Sequence, residues 1–424
     1  MNHVSLDEAI SAVRGVAPAP RPARVPLERA HGRVAATPLV SRTRVPNVDV
    51  AAMDGYACRA EDTGGACSDL PVRLRLVGSS AAGEPFVSTL GPGEAVAVAT
   101  GAVVPDGANA IAVVERARLD GEQVWLEAPA ARKHVRHAGE DVERGVEAFT
   151  AGVTFDALRL ALAVSLGHAD AEVVRRPVVA VLTTGPELAP PGSDLAPGEV
   201  HDSNGLLVTA LLRALGAEAR TPARVADEES ALRRALDLAQ ASASGETAGP
   251  DLNAPDLIVT TGGASVGRYD VVRQVLESDG GLLFGGVRVR PGRPTALGRW
   301  RGTPWLALPG TPHAVALLGT VLLGSWAHVA TGRAGEPPCL RRELAECDLP
   351  LPAHAERTVL RLARSSRAVD GRLQVTPLER GGDSRLVVLG VADALIVMPP
   401  GADVQAGSLV EVVPLRAPGG LLAG

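Results

Sequence analysis

Between residues 177 and 331, apolar runs alternate with segments of helical periodicity, and this alternation constrains the fold more than any other feature. VVAVLTT (178–184) and LIVTT (257–261) are unbroken apolar runs, typical of strands that are buried on both faces. Helical patterns follow at 206–215, 228–240 and 270–277, and a long apolar helix follows PGTP (309–312). Because alternating strands and helices form a parallel sheet covered by helices, we expect a three-layer α/β domain at 177–331. An Ala-, Ser- and Gly-rich stretch at 241–254 predicts a flexible loop within it.

The rest of the chain has other patterns. SLDE (5–8) is a capping box, which predicts a helix from about residue 6. A second short helix is expected within 26–40, followed by an extended segment at 37–38. Helical periodicity returns over 141–170. Short β-rich runs separated by Gly and Pro predict a small β domain between 71 and 127. From about residue 333 onward, further strands predict a small β-barrel.

Composition limits the classes of function. A chain of 424 residues exceeds one hydrophobic core, so we expect two to four domains. The net charge of −6 offers no basic face for a phosphodiester backbone, which argues against nucleic acid as a partner. The four cysteines, Cys58, Cys67, Cys339 and Cys347, form no CxxC motif and are too few for a disulfide scaffold. The N-terminus lacks the basic and then apolar segments of a secretion signal, and the longest apolar run, 314–327, is short for a membrane span. We therefore expect a cytosolic protein without membrane association.

Three glycine-containing loops follow strands of the expected α/β domain. They are TTGPE (183–187), TTGGASVG (260–267) and LPGTP (308–312), the last leading into a helix. Open parallel sheets bind ligands at the carboxyl ends of their strands. Glycines let backbone N–H groups approach an oxyanion, hydroxyls add donors, and a helix N-terminus adds partial positive charge. Three such loops in one domain favour an anion pocket over three unrelated turns.

Acidic residues accompany these loops. Glu187 follows the first, Asp202 begins DSN (202–204), Asp227 starts a helical segment, and Asp270 follows the second loop. Helix capping is an alternative role for Asp202, Asn204, Asp227 and Asp270. As a set near an anion pocket, the carboxylates also suit Mg²⁺ that bridges phosphates, because Mg²⁺ prefers oxygen ligands.

Arginines in VRVRPGRP (287–294) add positive charge. Arg288, Arg290 and Arg293 alternate along this segment. They are either a solvated strand face or forked donors for phosphate or molybdate. No His/Cys cluster suggests zinc, and no Ser/His/Asp arrangement is evident.

AMDGYA (52–57) places a carboxylate, Asp54, between an apolar anchor and a glycine. Asp-Gly is also a common turn dipeptide, so an ordinary turn is the alternative to a functional loop.

Seven motifs, in order along nearly the whole chain, resemble the molybdopterin molybdenumtransferase family, of the MoeA and gephyrin E-domain type. They are AMDGYA (52–57), TGAVVPDGANAI (100–111), VRHAGED (135–141), DSN (202–204), TTGGASVG (260–267), RPGRP (290–294) and LPGTP (308–312). The resemblance is weakest beyond residue 331.

The resemblance implies a multidomain homodimer. Residues 1–45 with 140–176 would form an elongated helical and extended dimerisation domain, interrupted by an inserted β domain at 46–139 that carries the AMDGYA loop. Residues 177–331 would form the molybdopterin-binding domain and 332–424 the C-terminal β-barrel.

The resemblance also implies an activity. Family members cleave adenylylated molybdopterin in a Mg²⁺-dependent step, insert molybdenum from molybdate and release AMP. The adenylyltransferase that supplies the substrate and the downstream molybdoenzymes would be partners. Asp54 would face the α/β pocket of the other protomer.

Specific residues carry this implied activity. The expected catalytic and Mg²⁺-binding carboxylates are Asp54, Glu187, Asp227 and Asp270. The expected contacts to molybdopterin and its phosphate are Thr184, Gly185, Ser203, Asn204, Gly262, Gly263, Ser265, Arg290, Arg293, Pro309, Gly310 and Thr311.

The chain departs from the family pattern at several positions. Pro186 and Arg268 stand where the family usually has acids, Asn109 replaces an Asp and Thr311 an Asn. Arginines replace the lysines of the KPGK motif, and the Ser-rich C-terminal motif is poorly kept at 381–386. These changes motivate an alternative from another class, a non-catalytic homologue that binds molybdopterin or a partner enzyme. Tungstate is a second alternative, because it matches molybdate in charge and size.

Overall fold

The computed structural model describes residues 3–241, 254–263, 271–279, 281–378 and 386–415. Nearly all of the loop predicted at 241–254, together with the weak motif at 381–385, lies outside the described residues. The α-helices of the described part are α1 Leu6–Gly15, α2 Ala157–Ser165, α3 Asn204–Ala214, α4 Glu229–Ala241, α5 Val271–Ser278, α6 Pro312–Leu318, α7 Gly324–Ala330 and α8 Val388–Val391.

The described strands are, in chain order, β1 His3–Val4, β2 Pro22–Pro26, β3 Leu39–Val40, β4 Val50–Ala51, β5 Gly55–Cys58, β6 Val72–Ser80, β7 Glu94–Val98, β8 Ala110–Val113, β9 Ala117–Asp120, β10 Gln123–Leu126, β11 Val135–Arg136, β12 Glu147–Phe149, β13 Asp170–Val174, β14 Val178–Thr184, β15 Leu188–Ala189, β16 Val200–His201, β17 Glu218–Ala219, β18 Ala223–Val225, β19 Leu257–Thr261, β20 Gly286–Val287, β21 Val289–Arg290, β22 Ala296–Trp300, β23 Thr303–Leu308, β24 Glu343–Cys347, β25 Thr358–Arg367, β26 Leu373–Pro377, β27 Ala394–Met398 and β28 Leu409–Pro414.

The predicted α/β sheet is confirmed. Its order in the described residues is β17-β14-β19-β23-β22, and β18 also pairs with β14. The strands from β17 to β23 are parallel, whereas β22 pairs antiparallel with β23 at the edge. Every residue of β14 and β19 is buried, as their unbroken apolar sequences predict. The carboxyl ends of β14, β19 and β23 are therefore neighbours at one edge of the sheet.

The small β region is a sheet with strand order β8-β5-β7-β6-β10-β9 in the described residues. The AMDGYA motif leads into its strand β5, which is buried between β8 and β7. Two strands at its base, β4 and β11, pair antiparallel where the chain enters and leaves this region. The inserted sheet is thus held to the rest of the chain through two adjacent connections.

The region that precedes and follows this insertion has little helix. The capping box at α1 is confirmed, since Ser5 Oγ accepts the Glu8 N–H at 3.1 Å. The short helix expected within 26–40 is only one 3₁₀ turn, Leu27–Arg29. The helix expected over 141–170 is wrong in extent. Only α2 is helical there, because β12 and β13 on either side of it pair with the distant strands β3 and β2.

The C-terminal region forms the predicted β-barrel. The order β25-β26-β24-β28-β27 closes through pairing of β25 with β27, and β21 adds alongside β25. Alternate residues of these strands form a separate apolar core.

The long apolar helix is a run of α6, a π-helical segment Gly319–Leu323 and α7. Over Pro312–Ala330 it spans 19 residues, and among the described helices it alone has the length and apolarity to cross a membrane. Because 89% of its most apolar window is buried inside the protein, it has the character expected of a core helix. The domain boundaries after residues 45, 139, 176 and 331 stay predictions.

Candidate functional site

Three loops meet at the carboxyl edge of the α/β sheet. The Gly262 N–H donates to the Leu308 carbonyl at 3.3 Å, which joins the second loop to the third. Gly262 has φ +87°, and a Cβ there would lie 2.1 Å from the Thr184 carbonyl oxygen. A Cβ on Gly310 would lie 3.5 Å from Gly262 Cα. Gly262 therefore allows a closeness between the first two loops that a side chain would prevent, whereas a Cβ on Gly310 would make an ordinary contact.

The start of α3 is fixed to the third loop. Asn204 Nδ2 donates to the Gly310 carbonyl at 2.7 Å. Asp202 is the residue that caps α3, because its Oδ1 accepts the Gly205 N–H at 3.0 Å and its Oδ2 accepts the Thr183 hydroxyl at 2.7 Å. The sequence left helix capping and ligand binding open for these residues. Asp202 caps α3, whereas Asn204 caps no helix of the described chain and instead donates a hydrogen bond to the third loop. Ser203 is exposed and its side chain makes no capping hydrogen bond.

Buried oxygens without partners surround the second loop. Within the described chain, Asn204 Oδ1, Asp227 Oδ1 and Thr261 Oγ1 are buried and have no hydrogen-bond partner. A Cβ on Gly263, at φ +59°, would lie 2.8 Å from Thr184 Oγ1 and 3.4 Å from Asp227 Oδ1. A buried polar atom without a partner costs free energy, and a bound ligand offsets that cost.

Glu187 and Asp227 form an acidic pair beside this loop. Burial, and then the negative charge of Glu187, raise the pKa of Asp227. Glu187 is exposed, and its carboxylate turns back toward Gly185, where a Cβ would lie 2.6 Å from Oε2. A carboxylate with a raised pKa and an unpartnered oxygen, beside a second carboxylate, suits a divalent cation with oxygen ligands. In the described residues, no three His, Cys, Asp or Glu side chains form a metal-binding group.

Several predicted site residues cannot be placed. The predicted site residues Ser265 and Asp270, and the departure at Arg268, lie in 264–270, outside the described residues. The departures at Pro186 and Thr311 are both exposed, and Pro309 is buried at the end of β23.

Asp54 lies in the inserted β region, directly before β5. It is exposed beside β5, and its Oδ1 accepts the Thr100 N–H at 2.7 Å and the Thr100 hydroxyl at 2.8 Å. These two hydrogen bonds, the backbone one first, hold the pKa of Asp54 below its usual value. In the described chain its carboxylate forms no hydrogen bond or ion pair with the three loops. Thr100 was missed as a site residue, although it opens the TGAVVPDGANAI motif.

Asn109, another departure, has a structural role in the inserted sheet. Its Oδ1 accepts the Ala60 N–H at 2.8 Å, and its Nδ2 donates to Glu61 at 3.3 Å. It thereby anchors the 3₁₀ turn Ala60–Asp62. This substitution lies outside the loop cluster.

Arg290 and Arg293 are both exposed. Arg290 ends β21, which pairs with β25 of the barrel. In the described chain neither guanidinium forms a hydrogen bond or ion pair with any other residue, including those of the three loops. The positive charge of Arg293 contributes, after burial, to lowering the pKa of His3, which places it near β1. These two cations are free to meet an anion.

Thr261 was also missed. It is the second hydroxyl of TTGG, and its burial at 1% exposure without a partner for Oγ1 marks it as part of the cluster. The position directly before two glycines was the signal in the sequence.

Comparisons with known families agree along the chain. The profile described as "MoeA N-terminal region (domain I and II)" matches residues 4–167, "Probable molybdopterin binding domain" matches 180–325, and "MoeA C-terminal region (domain IV)" matches 345–415.

Similar proteins have consistent names. Molybdopterin molybdenumtransferase 2 of Mycobacterium tuberculosis is 38% identical over 299 residues, 69% of this chain and 71% of the relative. Molybdopterin molybdenumtransferase of Bacillus subtilis is 30% identical over 406 residues, 93% of this chain and 90% of the relative. The crystal structure of the molybdopterin biosynthesis MoeA protein from Pyrococcus horikoshii matches with a TM-score of 0.82 at 29% identity, and covers 98% of this chain and 100% of that one. The chain therefore belongs to the molybdopterin molybdenumtransferase family.

Proposed function

We propose that this protein is a molybdopterin molybdenumtransferase, which inserts molybdenum from molybdate into adenylylated molybdopterin and releases AMP. The observation that carries the proposal is the cluster of three glycine loops with unpartnered buried oxygens at one edge of the sheet. Buried oxygens without partners cost free energy in the protein alone, so they favour a bound ligand at this edge. The names of the relatives supply the substrate class.

The loops would hold the anionic part of the substrate. Gly262 and Gly263 let the second loop lie directly against Thr184, so Thr184 and this loop would contact one phosphate together. Thr184, Thr261 and Asn204 would supply further hydrogen bonds. The unpaired guanidinium groups of the RPGRP motif, from β21 and the turn after it, would attract molybdate or phosphate by charge.

Mg²⁺ fits the acidic pair. Glu187 and Asp227 would hold it, and the unpartnered Asp227 Oδ1 is a ready oxygen ligand. Asp270 is proposed as a further ligand from sequence alone. When bound, Mg²⁺ offsets the negative charge of the substrate phosphates. The protein's own contribution is to keep both carboxylates at the edge of the pocket, where Asp227 is partly shielded from water.

A second copy of the chain would complete the site. Asp54 is exposed and forms no hydrogen bond or ion pair with the three loops in the described chain, so we propose that it acts in a partner's pocket. Helix α2 offers a docking face, since Leu158 and Leu162, one turn apart, are 82% and 36% exposed. Large apolar side chains on a helix surface mark an interaction site. We propose a homodimer in which this face contributes to the interface.

The proposal extends to location and partners. All four cysteines are free thiols in the structure, as a reducing cytoplasm maintains them. The adenylylated substrate requires an adenylyl-transferring enzyme upstream, and the metal-loaded cofactor requires molybdoenzymes downstream. These are the proposed transient partners.

Reconstitution tests the function. Purified protein is combined with adenylylated molybdopterin, molybdate and Mg²⁺, and AMP release and cofactor formation are measured. We expect turnover, reduced about a hundredfold or more by Glu187→Gln or Asp227→Asn. Glu336→Gln, an exposed acid with no partner in the described chain, is the matched control and should match the parent. No AMP above background from the parent contradicts the proposal, and tight molybdopterin binding with no turnover identifies a non-catalytic homologue instead.

A further inference from the structure

A cavity of about 430 Å³ lies between helix α4 and strands β14 and β18. None of the residues proposed for the reaction site lines it. One side is a face of α4, with Ala231, Ala235 and Leu238 at helical spacing, and the other side includes Val225. A volume of several hundred cubic ångströms with an apolar floor is typical of small-molecule sites.

Positive charge borders the cavity. Arg220, Arg224 and Arg234 line it, and no acidic side chain of the described chain does. Arg220 is half-buried and donates to the Ala239 carbonyl at the end of α4. Arg224 and Arg234 are exposed, and neither has a hydrogen-bond or ion-pair partner in the described chain.

The cavity therefore combines two chemistries. Two guanidinium groups without partners are forked donors for a carboxylate or phosphate. The alanines of α4 are small, so they leave room for a flat or branched apolar body beside those donors. An oxyanion without an apolar body would leave the apolar floor of the cavity exposed to water. A cationic ligand would be repelled by the arginines.

We propose that this cavity binds a small organic anion, with an apolar planar or branched body and one carboxylate or phosphate, at a site separate from the reaction centre. The apolar body packs on Ala231, Ala235 and Leu238, and the anionic group pairs with Arg224 and Arg234. The proposal does not depend on the proposed enzyme activity, because the predicted result is binding.

Titration calorimetry on the full chain tests it with three probes. 2-Naphthoate supplies a carboxylate, 2-naphthyl phosphate supplies a phosphate, and inorganic phosphate supplies charge without an apolar body. We expect at least one of the organic probes to bind and inorganic phosphate to bind far more weakly. Whichever organic probe binds identifies the anionic group.

Variants locate the bound probe. The double variant Arg224→Ala with Arg234→Ala should weaken binding about tenfold. Ala235→Phe should block binding by filling the cavity, and Arg213→Ala, an exposed arginine on α3, should leave it unchanged. The double variant alters only exposed side chains and is expected to fold. It therefore tests the proposal even if Ala235→Phe disturbs folding. Absence of binding by both organic probes overturns the proposal, as does binding that the double variant leaves intact.

Discussion

Replacing Gly262 by alanine probes the closeness of the three loops directly. Gly262 has φ +87°, a conformation that costs an L-residue about 1–2 kcal/mol. The new Cβ would start 2.1 Å from the Thr184 carbonyl oxygen and must reach at least 3.0 Å, so one loop moves by about 0.9 Å, the difference of the two. Crowding of this kind costs a further ~1–3 kcal/mol. Displacement by about 1 Å at a site lowers turnover by roughly a hundredfold.

Gly302→Ala is the matched control. Gly302 has φ +90° in the turn between β22 and β23, and a Cβ added there would meet no atom within 4 Å, so this variant carries the backbone strain without the clash. AMP release and urea unfolding are measured for both variants. Tryptophan fluorescence follows the α/β domain, where three of the four tryptophans lie, Trp300, Trp305 and Trp326.

We expect Gly302→Ala to lose about 1–2 kcal/mol of unfolding free energy and no activity. Gly262→Ala should lose more unfolding free energy and about a hundredfold in AMP release. A Gly262→Ala protein that unfolds like the control and releases AMP within twofold of the parent would refute the argument that this contact shapes the site.

Three further outcomes are expected. Because burial, and then Glu187, raise the pKa of Asp227, its ionised form is disfavoured in the folded state, and that penalty grows as pH rises above about 4. Asp227→Asn should therefore unfold at a higher temperature than the parent at pH 7, with the gain absent below about pH 4; a lower midpoint at pH 7 contradicts this. Thr100→Val removes one of two hydrogen bonds to the AMDGYA carboxylate and should lower AMP release by about tenfold at unchanged thermal midpoint; activity equal to the parent's excludes a positioning role. Leu158→Glu on α2 should yield monomers in light scattering, whereas Leu70→Glu in the turn before β6 should not; dimers in both variants rule out the α2 face.

The α/β sheet could be predicted from the sequence because the apolar pattern of each strand is local. β14 and β19 are buried on both faces, so their residues are apolar throughout and the strand bounds are visible in the sequence. The barrel strands were predicted for a similar reason. The error at 141–170 arose because β12 and β13 pair with strands more than 100 residues earlier, and local periodicity carries no trace of that pairing.

In the candidate site, too, local features could be predicted from the sequence and long-range contacts could not. The glycine loops were predictable because a strand, a glycine and a helix follow one another in the sequence. The Asn204 bond to Gly310 and the Thr100 bonds to Asp54 join residues 106 and 46 positions apart, so only the fold shows them. Arg290 and Arg293 stay predictions as ligand contacts, since their side chains meet no residue of the loops within the described chain.

The central claim, that each reaction site combines one protomer's pocket with the partner's AMDGYA loop, is tested most directly with mixed dimers. Asp54→Asn and Asp227→Asn proteins are inactive separately in this account. After unfolding and refolding together, half of the dimers are mixed, and each mixed dimer has one complete site of two. The account predicts recovery of about one quarter of the parent's AMP release. A mixture no more active than the two separate variants would contradict it.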